Sequence, residues 1–313
     1  MTRVRDDRGS ALAFVVVFIV VLLGVAALVI DWGSWFTEQR HLQAAADAAT
    51  LAAAQDLPNT SLASTDATTY AANNVSGLTT WAPTFPNSNT IDVQLSKDAP
   101  GFFSKFLGIN KMTVHAHARA IVGAPASMKF VAPVAVKSTS ACLATSTSCF
   151  GVTKQLNLAD SNLSASKFGL ITLSCQGTTS TQCSSSGTGA SDLQNWITNG
   201  YSNYLNVNKW YAAVPGEKIG PLRDSLAAAG TARKTLLFPV YDSVDAVYGA
   251  FHVIGWAAFV IDTNGVLSWK NDVPGCTPNC KLLSGHFTTY IAHGVDIDPS
   301  VTNFGVRVIG LNQ

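Results

Sequence analysis

Two histidines, His115 and His117, have the residue types and spacing that come closest to a metal site in this sequence. One residue separates them within an alternating segment, so both imidazoles lie on one face of a predicted strand and can bind a metal when a third ligand joins. Neither an HExxH motif nor an acidic residue at ligand spacing accompanies the pair. The pattern fits better with the solvent face of a strand, which Thr113 and Arg119 share. We therefore predict no metal site, with His115 and His117 as the candidates for one.

The six cysteines form three close pairs along the chain: Cys142 and Cys149, Cys175 and Cys183, and Cys276 and Cys280. Thiols at such separations can either bind zinc or form disulfides. None of the three spacings is the Cys-x-x-Cys of a zinc knuckle or ribbon. We therefore predict disulfides that clamp loops, with nearest-neighbour pairing as the simplest of several possible connectivities.

Motifs of catalysis are missing from the sequence. There is no Gly-x-Ser-x-Gly, no phosphate loop and no dinucleotide fingerprint. Asp242 and Asp245 flank the end of a predicted strand, where turn capping explains them. We predict no catalytic residue and no cofactor, so the protein is not expected to be an enzyme.

Charge and composition exclude two broad classes of protein. The 313 residues include 20 Lys or Arg and 19 Asp or Glu, for a net charge of +1. Nucleic-acid binding is not expected, because there is no basic excess to neutralise phosphates. Hydrophobic residues make up 47% of the chain, whereas a disordered chain combines low hydrophobicity with high net charge.

The hydrophobic residues are concentrated near the N-terminus. Residues Ala11 to Ile30 include no charged or polar side chain. As a helix this run is about 30 Å long, which matches the hydrocarbon core of a bilayer. A cleaved signal peptide is the alternative, but its apolar core is shorter, at about 7–15 residues. We predict a retained transmembrane helix.

The distribution of positive charge predicts the orientation of this helix. Arg3, Arg5 and Arg8 precede the span, whereas after Arg40 the next basic residue is Lys97. Under the positive-inside rule the short N-terminus stays in the cytoplasm and the remaining chain is exported. All six cysteines then lie on the side of the membrane where disulfides are permitted.

An alanine-rich segment, Gln39 to Ala54, follows the span and is a strong helix former. Trp32 and Trp35, just before it, are suited to the headgroup layer. Small side chains let another helix approach closely, so one face of this segment is a candidate surface for packing with a partner, and a simple spacer is the alternative. The residues of that face recur at three- and four-residue spacing: Leu42, Ala45, Ala46, Ala49 and Ala53.

The order of motifs in the first part of the chain resembles the N-terminal module of TadE/TadG-type proteins of the bacterial Flp (tight-adherence, Tad) pilus system. The resemblance covers about residues 8–55 and depends on Arg-Gly, the span, Asp-x-Gly and Leu-Gln-Ala-Ala-x-Asp in that order. Gly101 to Gly108, followed by an alternating strand, also resembles that family.

This resemblance implies a role in pilus assembly, with other assembly subunits bound through the N-terminal helix. The family motif has an acid at two positions, Asp31 and Asp47, which makes both residues candidates for packing with a partner subunit. Pilin-like members that a prepilin peptidase processes have a Glu five residues after the glycine of the cleavage site, whereas Phe14 follows Gly9 at that distance here. An anchored, TadG-like protein is therefore the closer match.

The chain beyond the helix is predicted to be rich in strands. Residues 58–90 are rich in Thr, Asn, Ser and Pro and are predicted to be a solvated connector with one short helix at 65–73. Helices are also expected at 192–199 and 221–229. An Asn-Gly turn at 262–265 is predicted to join two strands as a hairpin. Strands are expected at 91–96, 112–122, 129–136, 236–241, 247–261, 266–269, 287–292 and 303–311.

Together these features predict an α+β protein. A single N-terminal transmembrane helix continues into an Ala-rich helical stalk and is followed by a β-rich, disulfide-clamped ectodomain. The expected boundaries are a cytoplasmic tail at 1–9, the transmembrane helix at 10–31, a juxtamembrane helix at 32–57, a connector and first α+β part at 58–125, and a β-rich extracytoplasmic domain at 126–313.

The resulting hypothesis is a non-enzymatic, single-pass component of a Tad/Flp-type pilus system in the bacterial inner membrane. It has its N-terminus inside and its ectodomain outside. Two alternatives stay open: a minor pilin-like filament subunit, and a membrane-tethered exported metal-binding protein or hydrolase that uses His115 and His117.

Overall fold

A computed structural model describes residues 8–140, 143, 150–158, 169–184, 187–214, 219–267, 281–298 and 300–311. It divides the chain into two compact units. Unit 1 comprises Met1–Val122 with Gly310–Gln313, and unit 2 comprises Gly123–Ile309. The helices are α1 (Arg8–Ala54), α2 (Thr60–Asn74), α3 (Ala190–Thr198) and α4 (Ile219–Thr231), together with a short 3-10 helix at Ser104–Leu107.

The strands are distributed over both units, and the protein is an α+β protein as predicted. Their bounds are β1 (Leu78–Asn87), β2 (Thr90–Pro100), β3 (Lys111–Pro125), β4 (Ser127–Met128), β5 (Val134–Lys137), β6 (Lys154–Leu158), β7 (Gly169–Leu170), β8 (Leu205–Asn206), β9 (Lys209–Ala212), β10 (Thr235–Asp245), β11 (Ala250–Leu267), β12 (Lys281–Thr288), β13 (Tyr290–Ala292), β14 (Ile297–Asp298) and β15 (Val306–Leu311).

Unit 1 begins with one uninterrupted helix, α1, of 47 residues. At 1.5 Å per residue its length is about 70 Å, more than twice the hydrocarbon thickness of a bilayer. The large apolar side chains from Phe14 to Ile30 are exposed, so this part of α1 is not the core of a soluble domain. Among the described residues α1 is the helix long and apolar enough to cross a membrane. It indicates membrane anchoring, and the predicted continuation of the span into an alanine-rich helix is confirmed.

The segment predicted to be a solvated connector is instead structured. Most of it forms α2 and β1, and α2 packs along α1. The buried residues of α2 are Ala63, Ala67 and Ala71, which recur every four residues. This narrow face of small side chains lies within a stretch dominated by Thr, Ser and Asn, so the average composition concealed it.

Strands β1, β2 and β3 follow the helices of unit 1 and form an antiparallel meander. β1 pairs with β2, and β2 pairs with β3 in a register that places Ser96 opposite His115 and Gln94 opposite His117. Ile91, Val93 and Leu95 on β2 alternate with polar residues and are buried. The apolar face of the sheet and the small face of α2 therefore both supply surface on which α1 packs, since α1 contacts β2 as well as α2.

Unit 2 is organised around a larger sheet. Its described strands follow the order β6-β12-β11-β10-β5-β7, and β9 pairs with β11 at one end. The core is aromatic: Phe238, Phe259 and Phe287 are buried, and the Phe238 and Phe259 rings stack with their centroids 5.4 Å apart. Helix α4 packs against β11 and α3 packs against α4. β13 and β15 pair in parallel, with Tyr290 opposite Val306.

The prediction of a hairpin at the Asn-Gly sequence, residues 262–265, is wrong. β11 continues through this region and pairs with β12 on both sides of it, with Ile261 opposite Gly285 and Val266 opposite Leu283. The intervening residues form a bulge, in which Asn264 has a left-handed φ of 64°. A Cβ on Gly265 would lie 2.3 Å from the Ser284 carbonyl oxygen. A bulge needs a residue in the left-handed conformation and a close approach of two backbones, and the Asn-Gly pair supplies both. The same pair also suits a tight turn, which is why the sequence alone predicted one.

The predicted disulfide between Cys175 and Cys183 is confirmed, with a Cα–Cα distance of 5.7 Å. It closes a loop in unit 2 beside β9, where Gly177 and Trp210 form a β-bridge. The four other predicted partners, Cys142, Cys149, Cys276 and Cys280, lie outside the described residues.

Candidate functional site

A stripe along α1, from Asp31 to Ala53, is where unit 1 holds its own N-terminal helix. Its members are spaced by three or four residues and therefore lie on one helix face. We call this face the docking stripe; it consists of Asp31, Trp35, Glu38, Leu42, Ala45, Ala46, Ala49 and Ala53. Polar members occupy its membrane-proximal part and small apolar members the rest.

The membrane-proximal end of the docking stripe is Asp31, whose side chain is 1% exposed. Its Oδ1 accepts hydrogen bonds from the backbone N–H groups of Phe102 at 3.0 Å and Phe103 at 3.2 Å. Its Oδ2 accepts from Phe103 at 3.0 Å and Ser104 at 2.5 Å. The carboxylate thus caps the start of the 3-10 helix, where backbone N–H groups lack helical acceptors.

The segment that Asp31 binds is residues 101–110, which we call the clasp loop. The loop is closed at its base, where the Gly101 N–H donates to the Asn110 carbonyl at 3.0 Å. Within it the Ser104 hydroxyl donates to the Ile109 carbonyl at 3.0 Å. A Cβ on Gly101 would lie 2.8 Å from that same carbonyl oxygen, so the tight closure requires glycine.

An ion pair at the ends of β2 and β3 supports the base of the clasp loop. Lys111 donates to Asp98, and the Thr113 hydroxyl donates to the same carboxylate at 2.7 Å. The hydrogen bond from Lys111, followed by the one from Thr113, lowers the pKa of Asp98 below its usual value. The ionised carboxylate is therefore the form that holds the two strand ends together.

Two further polar members of the docking stripe bind the end of β2. The Trp35 indole N–H donates to the Pro100 carbonyl at 3.1 Å, and Glu38 accepts from Lys97. Trp35 is therefore half-buried against the sheet, whereas Trp32 is 73% exposed. Of the two tryptophans predicted for the headgroup layer, Trp32 is the one whose ring is left largely uncovered.

The alanine face is buried within unit 1. Leu42, Ala46, Ala49 and Ala53 are fully inaccessible, and Ala45 nearly so. α1 packs against α2 and β2 of the same chain, and these small side chains permit the close approach. A helix of a partner subunit can reach them only by displacing these elements, and packing of this face with a partner stays a prediction.

Asp47 acts within the chain through Gln43, one turn earlier on α1. The Gln43 amide nitrogen donates to Asp47 Oδ1 at 2.9 Å and to the His117 carbonyl at 2.8 Å. Asp47 thereby orients the amide that links α1 to β3. Thr50, which is buried, donates to the Ala46 carbonyl at 2.7 Å. The Leu-Gln-Ala-Ala-x-Asp motif thus combines a buried apolar face with one polar link to the sheet.

His115 and His117 are placed side by side, as their spacing predicts, but each has a different partner. His115 Nδ1 lies 2.9 Å from the Ser96 hydroxyl, and His117 Nε2 lies 2.6 Å from Asp92 Oδ1. Arg119 donates to the other oxygen of Asp92 at 2.6 Å. The two rings line an open groove of about 490 Å³. Among the described residues, no three His, Cys, Asp or Glu side chains form a cluster that could hold a metal ion.

Sequence reasoning singled out Asp31, Asp47 and the alanine face but missed the residues that connect them to the fold. Glu38 lies seven residues after Asp31 and Trp35 four residues after it, a spacing that would have revealed the continuous stripe. The partners on the other side, Lys97 and Pro100, have no local signal because they are distant along the chain.

The comparison with known families agrees with the N-terminal resemblance. Residues 9–56 match the family model described as "Putative Flp pilus-assembly TadE/G-like". The match ends just beyond α1, so it contains the span and the whole docking stripe, and the resemblance predicted for this segment is confirmed. The clasp loop lies outside the matched range. Neither the curated proteins nor the solved structures include a match to this chain.

Proposed function

We propose that this protein is a non-enzymatic, membrane-anchored structural component of a Tad/Flp-type pilus assembly system. The observation that carries the proposal is the family match over residues 9–56, which coincides with α1. A family whose description is pilus assembly matches the part of the chain that both anchors in the membrane and docks on the α+β fold. The proposed partners are other pilus-assembly subunits, which bind through the N-terminal helix.

The proposed location is the bacterial inner membrane, with a single pass and the N-terminus inside. Three arginines precede the span and the next basic residue after Arg40 is Lys97, a distribution that supports this orientation under the positive-inside rule. The disulfide between Cys175 and Cys183 supports export of unit 2.

The docking stripe supports a mechanical role for the helix. Because α1 is continuous from Arg8 to Ala54, a force or displacement applied to the span is transmitted to unit 1 without a flexible joint. The bonds from Asp31, Trp35 and Glu38 to the chain between Lys97 and Ser104 hold the helix where it leaves the membrane. The anchor is then presented to partner subunits at a defined position, which is what an assembly component requires.

Electron microscopy of surface filaments tests this proposal. The gene is deleted in the native host and complemented with the intact protein, with an Ala49→Leu variant, and with Ala44→Leu as its matched control. Ala49 is buried in the docking stripe and Ala44 is exposed on the same helix. We expect loss of pili on deletion, restoration by the intact protein and by Ala44→Leu, and poor restoration by Ala49→Leu. Normal pili after deletion would exclude the assembly role.

The alternative of a minor pilin-like subunit has a separate test. A prepilin peptidase would remove the first nine residues by cleavage after Gly9, whereas the anchored protein keeps them. The intact mass of the purified protein distinguishes the two, and we expect the uncleaved mass because Phe14 stands where processed members have Glu.

A further inference from the structure

The clasp loop exposes an unusual amount of aromatic surface. Phe106 is 90% exposed, Phe102 is 57% exposed, and Phe103 and Ile109 are also open to the surroundings. Aromatic side chains of this size are unfavourable to leave in water, because burying their apolar surface is a main source of stability. An exposed apolar patch of this kind indicates a surface that another apolar phase covers.

The position of these side chains identifies that phase. Phe103 and Phe106 form one wall of an apolar cleft of about 490 Å³, and the other wall is α1 itself. The α1 residues in this wall run along one helix face, from Leu23 through Ala26 and Ala27 to Ile30. These residues belong to the span, so whatever fills the cleft lies at the depth of the membrane.

The depth follows from helix geometry. Leu23 and Ile30 are separated by about 10 Å along the helix axis, at 1.5 Å per residue. The phenylalanine side chains therefore lie beside roughly the outer third of a hydrocarbon layer about 30 Å thick. We propose that the clasp loop is a second membrane-inserting element, whose Phe103 and Phe106 enter the outer leaflet and bind phospholipid acyl chains beside the span. This inference rests on the proposed anchoring of α1 in the membrane.

The hydrogen bonds of the clasp loop fit this environment. Irregular backbone is tolerated in lipid only where its polar groups are satisfied within the protein. The N–H groups of Phe102, Phe103 and Ser104 donate to Asp31. Those of Gly101, Phe106, Gly108 and Ile109 donate to carbonyl groups of the loop itself. Asp31 therefore has a specific role, which is to accept hydrogen bonds from backbone N–H groups that water no longer reaches once the loop enters the membrane.

The other exposed residues of the loop suit the same location. Lys105 lies between Ser104 and Phe106 and is exposed, so its stem can extend along the apolar surface while its ammonium group stays among the headgroups. A partner protein in the cleft is a different proposal. We favour lipid because the walls of the cleft include the span, whose neighbouring side chains are exposed over the same length.

Fluorine NMR of the full-length protein in nanodiscs of phosphatidylethanolamine and phosphatidylglycerol tests the inference. 4-(Trifluoromethyl)phenylalanine replaces one residue at a time: Phe106 in the clasp loop, Phe18 in the middle of the span, or Tyr70 on α2. Tyr70 is the matched control, because it is an exposed aromatic residue of the same unit. Relaxation of each label by dissolved oxygen, which concentrates in lipid, is compared with relaxation by a water-soluble nickel chelate. Unfolding midpoints are measured to verify that each labelled protein keeps its fold.

We expect the labels at Phe106 and Phe18 to relax more with oxygen than with nickel, and the label at Tyr70 to show the inverse ratio. A nickel-dominated label at Phe106 together with an oxygen-dominated label at Phe18 would overturn the inference while leaving the anchor in place. Protection of Phe106 from both reagents would also overturn it, because protein would then fill the cleft. A nickel-dominated label at Phe18 would instead refute the proposed anchoring, and the inference with it.

Discussion

Asp31 and Ser104 are 73 residues apart in the chain, and the carboxylate of the first accepts a 2.5 Å hydrogen bond from the backbone N–H of the second. This contact joins the C-terminal end of the apolar run to the clasp loop. Asp31 is one of the two acids of the family motif, and the contact gives it a role within its own chain. The same carboxylate also accepts hydrogen bonds from the backbone of Phe102 and Phe103. Pairing of Asp31 with a partner subunit stays a prediction.

Replacing Asp31 should release the clasp loop. Asp31→Ala removes both acceptors and leaves the backbone donors of Phe102, Phe103 and Ser104 unpaired, and an unsatisfied buried group costs about 1–3 kcal/mol. Asp31→Asn has nearly the same shape but keeps one acceptor and turns an amide donor toward the loop. We expect both variants to speed hydrogen exchange at the three loop amides and to lower the free energy of unfolding in detergent.

Asp66→Asn, in α2 of the same unit, is the control for removal of an acid. It should leave exchange in the clasp loop unchanged. Normal protection of the three amides in Asp31→Asn would show that the carboxylate does not hold the loop.

Enlarging the alanine face should destabilise unit 1. Ala49 is fully inaccessible against the packed elements of its own chain, so the side chain of Ala49→Leu has no space without moving α2 or the sheet. Overpacking of this kind costs about 1–3 kcal/mol. Chemical unfolding in detergent measures the loss, and Ala44→Leu on the exposed side of α1 should be within about 0.5 kcal/mol of the parent. Equal losses of stability in Ala49→Leu and Ala44→Leu would contradict the burial of the docking stripe within unit 1.

The base of the clasp loop should weaken in acid. Hydrogen bonds from Lys111 and Thr113 lower the pKa of Asp98 in the folded protein. The carboxylate therefore contributes stability above its unfolded pKa of about 3.9, and that contribution is lost as the pH falls through the lower, folded pKa. We expect Lys111→Met to raise the pKa of Asp98 and Asp98→Asn to remove this part of the acid dependence. NMR titration of the carboxyl carbon follows the first effect, and unfolding at several pH values follows the second.

The disulfide should stabilise unit 2, and its redox state in cells should show whether unit 2 lies in an oxidising compartment. Cys175 and Cys183 close a short loop, with a sequence separation of 8, and such a bond contributes about 2–4 kcal/mol. Replacing both cysteines with serine should lower the thermal midpoint, whereas the parent protein should show the same decrease only after reduction. In cells, a maleimide reagent that increases mass should label the parent at this pair only after a reductant is added. Labelling of both thiols without reductant would place them in a reducing compartment.

Local patterns were sufficient for the long helix and for strands β2, β3, β10 and β11. The apolar run from Ala11 to Ile30 and the alanines that follow favour a helix whatever they pack against, because the preference depends on neighbours within one turn. The alternation in β3 likewise predicted a strand and its two histidines on one face. The same reasoning failed at 262–265, because a turn and a bulge both use an Asn-Gly pair, and only the pairing of both flanks with β12 distinguishes them.

The sequence by itself therefore determined that this protein has an apolar span, a small-residue helix and an α+β remainder, together with an N-terminal pattern typical of TadE/G-like proteins. Only the tertiary structure decided what covers the alanine face and what the carboxylate of Asp31 binds. Those partners, α2, the sheet and the clasp loop, are brought to α1 by chain folding over tens of residues. Periodicity is a property of neighbours along one helix or strand, whereas docking depends on which surfaces meet, and no local pattern records that.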